Sequence, residues 1–352
     1  MKKVMLCTLI LMCLITSCFS QNEKKKEYKI HTIAFYNLEN LFDTIDNSIT
    51  KDQYSPILKM KGNKTKAYWN KINNMARVLS EIGKEKSGKS PAVIGIAEIE
   101  NDTVIKDLLN TTYLKNKKYD YIHVDSPDWR GIDVALLYKT NTFSPSDYKT
   151  YELKAWNDKG YRVKTRSQLL VSGYLDAELI HIIVNHWPSQ RGGAKKSEYL
   201  RKKSAELNST IISELREADP NSKILTIGDF NDDPNSISIK KSLNSVGKKK
   251  DSKSEYLYNP FENMFKRGIG SLGFRDNINL FDQIIFSSNL LVKDDDYSSY
   301  KFYKAGIYNP KYLINSKGRY KGYPYRSWSS SDAFSGGYSD HFPVYIYLIK
   351  YK

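Results

Sequence analysis

Asp229 and Asn231 stand two residues apart at the end of the apolar run Ile224-Leu225-Thr226-Ile227-Gly228, and Pro234 closes the segment. The run reads as a buried strand, and a spacing of two places both polar side chains on one side if extended geometry continues through Phe230. A carboxylate and a carboxamide there are costly to bury unless they have work to do. A simple Asp/Asn turn at a strand end is the plain alternative. Its weight falls because other apolar runs are bounded in the same way: Asn37 after 30–36, Glu98 after 91–97 and His186 after 179–184. Asp282 opens the run 281–286, and Asp340-His341 precede the run 342–349.

The chemistry of this set is coherent. Carboxylate and amide oxygens suit a hard divalent cation, Mg²⁺ or Mn²⁺, which takes one or two carboxylates and keeps water. The remaining acids are then free for proton transfer, and a histidine beside an aspartate holds or delivers a proton near neutral pH. A metal, a His–Asp pair and a positioned water point to hydrolysis, most naturally of a phosphate ester.

In chain order, Phe35-Tyr36-Asn37, the strand Ile94 to Glu98, Gly228-Asp229-Phe230-Asn231 and Ser339-Asp340-His341-Phe342-Pro343-Val344 resemble the endonuclease/exonuclease/phosphatase superfamily, which includes deoxyribonuclease I. The resemblance runs from about Ile30 to the C-terminus. It implies an α/β fold, a four-layer α/β/β/α sandwich of two mixed β-sheets packed face to face with flanking helices, its site at one edge. It implies Glu98 as principal metal ligand with Asn37 and Asp340 nearby, Asp229 and Asn231 orienting water and binding phosphate, and His341 paired with Asp282. His186 becomes the general acid near the leaving oxygen; the base is left open between Asp229 and His341. The implied cofactor is Mg²⁺ or Mn²⁺, with Ca²⁺ as a structural alternative. Arg166 and Arg130 are candidates for the charge growing on phosphate, although each could be a plain loop arginine. Trp129-Arg130-Gly131 departs from the family, in which many relatives carry a phosphate-touching tyrosine at this point. Glu39, beside Asn37, is expected as a supporting acid; Glu100 is left open. His31, His123 and His181 fall inside strands and read as structural.

The elements that must position these groups are mostly legible. Strands are expected over 30–36, 91–97, 119–124, 132–138, 224–228, 281–286 and 342–349, and a hairpin over 167–175 and 179–184. Helices are expected where Trp69, Ile72, Ala76, Leu79 and Ile82 recur, and over 197–218. Residues 46–66 read as a loop, 240–278 as weakly patterned, and 297–331, rich in Tyr, Lys, Ser and Gly, as a long surface insertion.

Lys2-Lys3 followed by the apolar run 4–15 reads as a targeting segment too short to span a bilayer comfortably. Ile15-Thr16-Ser17-Cys18 resembles the lipobox of bacterial lipoproteins, implying lipidation at Cys18 and an extracytoplasmic, membrane-anchored protein; an ordinary signal peptide containing Cys18 is the alternative. The expected organisation is a leader over 1–18, a tether over 19–29 and one domain over 30–352. All three cysteines, Cys7, Cys13 and Cys18, lie in the leader, so the domain has no disulfide, Cys-ligated zinc or thiol nucleophile.

The formal net charge of +16 favours an anionic partner. Cations interleaved with tyrosines over 300–326 support an endonuclease acting on DNA or RNA. The alternatives are a phosphatase or phospholipid phosphodiesterase of the inositol phosphate or sphingomyelin type, and last a non-catalytic binding module. No apolar surface hairpin is evident from the sequence, and no obligate protein partner is inferred.

Overall fold

The computed structural model describes residues 26–157 and 159–352, so Cys18, the leader and most of the tether lie outside the described residues. In chain order the strands and longer helices are β1 (Tyr28–Leu41), α1 (Lys64–Glu81), β2 (Val93–Ile99), α2 (Asp102–Leu109), β3 (Tyr119–His123), β4 (Asp133–Lys139), β5 (Phe143–Tyr151), β6 (Gln168–Leu175) and β7 (Glu178–His186). There follow α3 (Ala194–Ala218), β8 (Ile224–Asp229), β9 (Ser245–Val246), β10 (Leu257–Tyr258), α4 (Phe261–Lys266), β11 (Leu272–Phe274), β12 (Asn277–Asn279), β13 (Asp282–Ser287), β14 (Lys301–Ile307) and β15 (Val344–Tyr351).

One sheet has six strands in the order β14-β15-β1-β2-β4-β3, and the other has seven in the order β5-β6-β7-β8-β13-β10-β9. Both are mixed: β1 runs parallel to β2 and antiparallel to β15, while β8 runs parallel to β7 and antiparallel to β13. The period of two in each strand divides the core. Ile33 and Phe35 of β1 face the seam between the sheets with Ile182, Leu225 and Ile284, whereas Ala34 and Tyr36 face Ile72, Met75 and Leu79 of α1. On the far side Ile183, Ile224 and Ile285 pack on Ile211 and Ile212 of α3. The result is helix, sheet, sheet, helix, as expected for the family.

Three expectations need correction. The tether is shorter than expected, because β1 already begins at Tyr28 and pairs it with Tyr351. The stretch 297–331 is not simply a surface insertion: its first part is β14, which pairs with β15 as a sheet edge. The hairpin β11–β12 also exposes Phe274 and Ile278, a surface feature that the reading of 240–278 did not single out. Strand β5 and helix α2 had no expectation at all. Ser144-Pro145-Ser146-Asp147 gives β5 a polar, Pro-containing edge that lacks apolar alternation, a common protection of exposed edges.

Candidate active site

The site residues sit at or beside strand ends along one rim, and two of those strands end irregularly. The pairing of β1 with β2 shifts register between Asn37 and Leu41, and that of β2 with β4 shifts between Ala97 and Ile99. At these bulges Glu39, Asn40 and Glu98 adopt left-handed backbone, with φ of 49, 51 and 61°. Bulges re-aim side chains, and non-glycine residues at such φ are held there by their surroundings. Here those surroundings are visible: the N–H of Asn40 donates to Glu98 Oε2 at 2.9 Å, and that of Glu39 to Asn37 Oδ1 at 2.9 Å. Gly228 is required beside them, since a Cβ there would sit 2.3 Å from the carbonyl oxygen of Asn185.

The rim brings the expected residues into one cluster. His186 Nε2 lies 3.7 Å from Glu98 Oε1 and 3.7 Å from Asp229 Oδ2. His341 Nε2 lies 4.0 Å from Asp229 Oδ2 and 3.9 Å from Asp340 Oδ1, and its Nδ1 pairs with Asp282 Oδ2 at 2.6 Å. Asp282 also accepts from the Ser271 hydroxyl at 2.5 Å. The Asn231 N–H donates to Asp229 Oδ1 at 2.9 Å, and the Asn231 side chain donates to the Trp187 carbonyl at 2.9 Å. Beneath them Trp187 and Phe230 meet edge to face at 4.7 Å, tying the loop after β7 to the loop after β8.

Two residues play parts other than those expected. Asn37 turns its Nδ2 toward Glu98 Oε1 at 3.2 Å and Asp229 Oδ2 at 3.0 Å. As arranged it orients two carboxylates, and it offers an oxygen to a cation only with its amide turned over. Arg166, expected at phosphate, is a positioning residue: it donates to the carbonyls of His186 at 3.1 Å and Trp187 at 2.5 Å and pairs with Asp128 at 3.2 Å. Its side chain is only 5% exposed. Arg130, 30% exposed and held by the same Asp128, remains open to an incoming anion. His31, His123 and His181, read as structural, lie outside this cluster and are bonded to Asp176, to Asp102 and Asp133, and to Ser172; His123 also forms, with Asp125 and Asp133, a second group whose ligand atoms lie within 4.8 Å of one another.

Electrostatics separates the two site histidines. Burial holds His186 well below the ordinary imidazole value, reinforced by Arg166, Arg130 and His341. Burial opposes charge on His341 too, but Asp282, with Asp229 and Asp340, outweighs it and holds this ring well above the ordinary value. Asp229 is pushed up to about 7 by burial, with Asp282 and Glu98 adding to the push against His341 and the Asn231 N–H. A neutral imidazole, a cationic one and an easily protonated carboxyl therefore stand within one cleft, a distribution suited to acid–base work.

The insertion and helix α1 supply contacts to Glu39 and Ser327 that the sequence reading does not foresee, since it takes Arg326 only as one of the insertion's cations and does not single out Lys71. Arg326 pairs with Glu39 at 3.1 Å and approaches Asp340 at 3.6 Å, and the Ser327 N–H donates to Glu39 at 2.6 Å. Lys71 of α1, fully buried, donates to the Ser327 hydroxyl at 2.7 Å. Glu39 is pushed up to about 8, chiefly by burial and next by Asp340. No spacing pattern in the sequence links 39, 71 and 326.

The donor set fits a hard divalent cation. Glu98 and Asp340 present carboxylates 19% and 41% exposed, with imidazoles adjacent and no thiol among the described residues. Glu98 and Asp340 would hold the ion, and Asn37 would steer Glu98 toward it. The trio Asp229, Asp282 and His341 also gathers ligand atoms within 4.8 Å of one another, but His341 Nδ1 is already engaged with Asp282.

Several comparisons agree with this geometry. An endonuclease/exonuclease/phosphatase family protein from Bacteroides thetaiotaomicron has 18% identity and a TM-score of 0.53, covering 92% of this chain and 98% of that one. The mannosyl-6-phosphatase of the same organism has 19% identity and a TM-score of 0.53, covering 90% and 99%. Humanized D. rerio TDP2 has 11% identity and a TM-score of 0.54, covering 91% and 99%. These likenesses establish the fold. No curated protein matches the chain by sequence. The sequence model of the Endonuclease/Exonuclease/phosphatase family matches residues 32–350, and the chain belongs to that family of phosphate-ester hydrolases.

Proposed function

We propose that the protein is a divalent-metal-dependent phosphodiesterase that cuts nucleic acid, with DNA the first candidate and RNA the second. The observation that carries the substrate class is the position of the insertion. Through Arg326 and Ser327 it is fastened to Glu39 at the rim of the cleft, and Arg326 comes within 3.6 Å of Asp340. Tyr320 is 57% exposed, with Arg319 over its ring at 6.0 Å. Phe274 on the neighbouring hairpin is 60% exposed, with Arg275 over its ring at 5.1 Å. Aromatics for stacking and cations for phosphate are what an unpaired strand needs. One solved neighbour is D. rerio TDP2 complexed with a single-strand DNA product.

In this reading the cation supplies Lewis-acid stabilisation of phosphate when bound. The side chains do the rest. Asp229 and Asn231 orient the water, His341 with Asp282 carries positive charge toward the developing negative charge, and Arg130 contacts phosphate. His186, held neutral by burial and by Arg166, offers the leaving oxygen a ring N–H hydrogen bond and not the imidazolium proton expected of a general acid. The proton of the attacking water goes to the Asp229 carboxylate, because His341 already carries its own.

A second reading, a phosphomonoesterase, is favoured by the mannosyl-6-phosphatase among the neighbours. The purified protein, assayed with Mg²⁺ and with chelator on plasmid, single-stranded DNA, RNA, mannose 6-phosphate and phospholipid vesicles, separates these. Nucleic acid cleavage that weakens steeply with salt supports the first reading; turnover of mannose 6-phosphate alone replaces it. We propose further that the protein is exported and anchored through Cys18, which metabolic labelling with a fatty acid tests in the Cys18→Ser variant.

A further inference from the structure

At the end of the sandwich away from the cleft lies a cavity of about 350 Å³, lined by the first residues of β1, by Ala92 ahead of β2 and by the last residue of β4. The cleft sits at the opposite ends of the same strands. Along β1, Tyr28 and Asn37 are nine residues apart, roughly 30 Å of extended chain. The cavity is therefore separate from the site described above.

Its lining is one-sided in charge. Lys29, Lys86, Lys89, Lys139, Lys352 and His31 all border it, and no acidic side chain among the described residues does. Three of these groups are already partnered: Lys29 pairs with Asp176 at 2.7 Å, as does His31 at 2.9 Å, and Lys352 pairs with Glu27 at 2.8 Å. Lys86, Lys89 and Lys139 have no carboxylate within 4.0 Å among the described residues. Lys139 is half-buried, with its ammonium donating to the Ser90 carbonyl at 2.9 Å. Burial pushes it down to about 8, and Lys117 and Lys89 push in the same direction. Thr32, also in the lining, carries a buried hydroxyl with no hydrogen-bond partner. Three uncompensated cations gathered around a concavity repel one another, and the repulsion is relieved by an anion seated among them.

We propose that this cavity is an anion-binding site for a phosphate or sulfate monoester group, held by Lys86, Lys89 and Lys139. The volume accommodates a group the size of a phosphorylated sugar or a lipid headgroup. Free metabolites and membrane lipids offer the same chemistry, and the test distinguishes them. An extended nucleic acid is not the occupant proposed, because the recess admits one charged group and lies far from the cleft.

The test is a titration of inorganic phosphate into the purified full chain in chelator, which removes metal-assisted binding at the cleft. It is run beside the Lys86→Gln/Lys89→Gln variant, whose exposed positions leave the core untouched, and beside Lys139→Gln. Matching melting temperatures check that each variant is folded. The parent is expected to bind phosphate and each variant about tenfold more weakly or worse. At pH 8 binding should also draw protons from the buffer as Lys139 recharges, a signal lost in Lys139→Gln. Vesicles of phosphatidylcholine with and without phosphatidic acid, whose headgroup is a phosphate monoester, form the second arm. Retention that needs phosphatidic acid and falls in the double variant identifies the headgroup as source; phosphate binding without such retention identifies a free ligand. Equal phosphate affinity in parent and both variants, with vesicle retention unchanged, overturns the proposal.

Discussion

The amide of Asn37, on a strand of the six-stranded sheet, donates to Asp229 Oδ2 at 3.0 Å on a strand of the seven-stranded sheet. The same Nδ2 also reaches Glu98 at 3.2 Å, so one planar group sets the spacing between a carboxylate of each layer. The Asn37→Ala variant should keep its fold and lose about 10²-fold in kcat, because misplacing a reacting group by an ångström costs that much. Steady-state kinetics beside a melting curve checks this.

Asp282 is buried against His341, and its second oxygen has no partner. Replacing it by Asn removes the charge that keeps the ring cationic. Activity should fall by about 10²- to 10⁴-fold in Asp282→Asn, the range seen when the partner of a working histidine is lost. A variant with parental activity would remove the pair from the reaction.

Arg166 and Arg130 separate cleanly. Arg166→Lys keeps the charge but loses the fork that holds two carbonyls, and should cost about 1–3 kcal/mol of stability in urea unfolding. Arg130→Ala should leave stability within about 0.5 kcal/mol of the parent. Its effect belongs in KM for a phosphate-bearing substrate.

Chelation should abolish turnover, and Mg²⁺ or Mn²⁺ should restore it. Glu98→Gln should raise the metal concentration needed for half-activity by about tenfold or more, since one anionic ligand is replaced by a neutral one. A metal titration of activity measures both.

Acid stability tests the opposite end of the fold. Burial works against charge on Asp176, but hydrogen bonds from Lys29, Tyr300 and His31 outweigh it and hold the carboxyl down to about 2 from an ordinary 3.8. A folded-state value below the unfolded one stabilises above the unfolded value and is lost as pH falls toward the folded one. Thermal melts between about pH 5 and pH 2 should therefore decline less steeply in Asp176→Asn than in the parent.

Much of this architecture could be read from the chain. Strands with apolar alternation and abrupt polar ends, such as 224–229, announce both the sheet and the rim, because burial on a period of two is written into composition. What stayed hidden is of another kind. Edge strands β5 and β14 are polar or aromatic on their open side, so alternation does not mark them. Arg166 was expected at substrate, but which way a guanidinium turns depends on carbonyls twenty residues away. The Glu39–Arg326 pair joins segments 287 positions apart, and only folding brings them together.

The bulges at Asn37 and Glu98 have a consequence for change over time. Because side chains alternate, inserting or deleting one residue at such a bulge would swing the carboxylate of Glu39 or Glu98 to the opposite face while leaving Ile33, Phe35 and Ile94 where they are. Reactivity and foldability are thus controlled by different stretches of the same strand, and the enzyme's margin can be rebuilt for a new ester without renegotiating the interior.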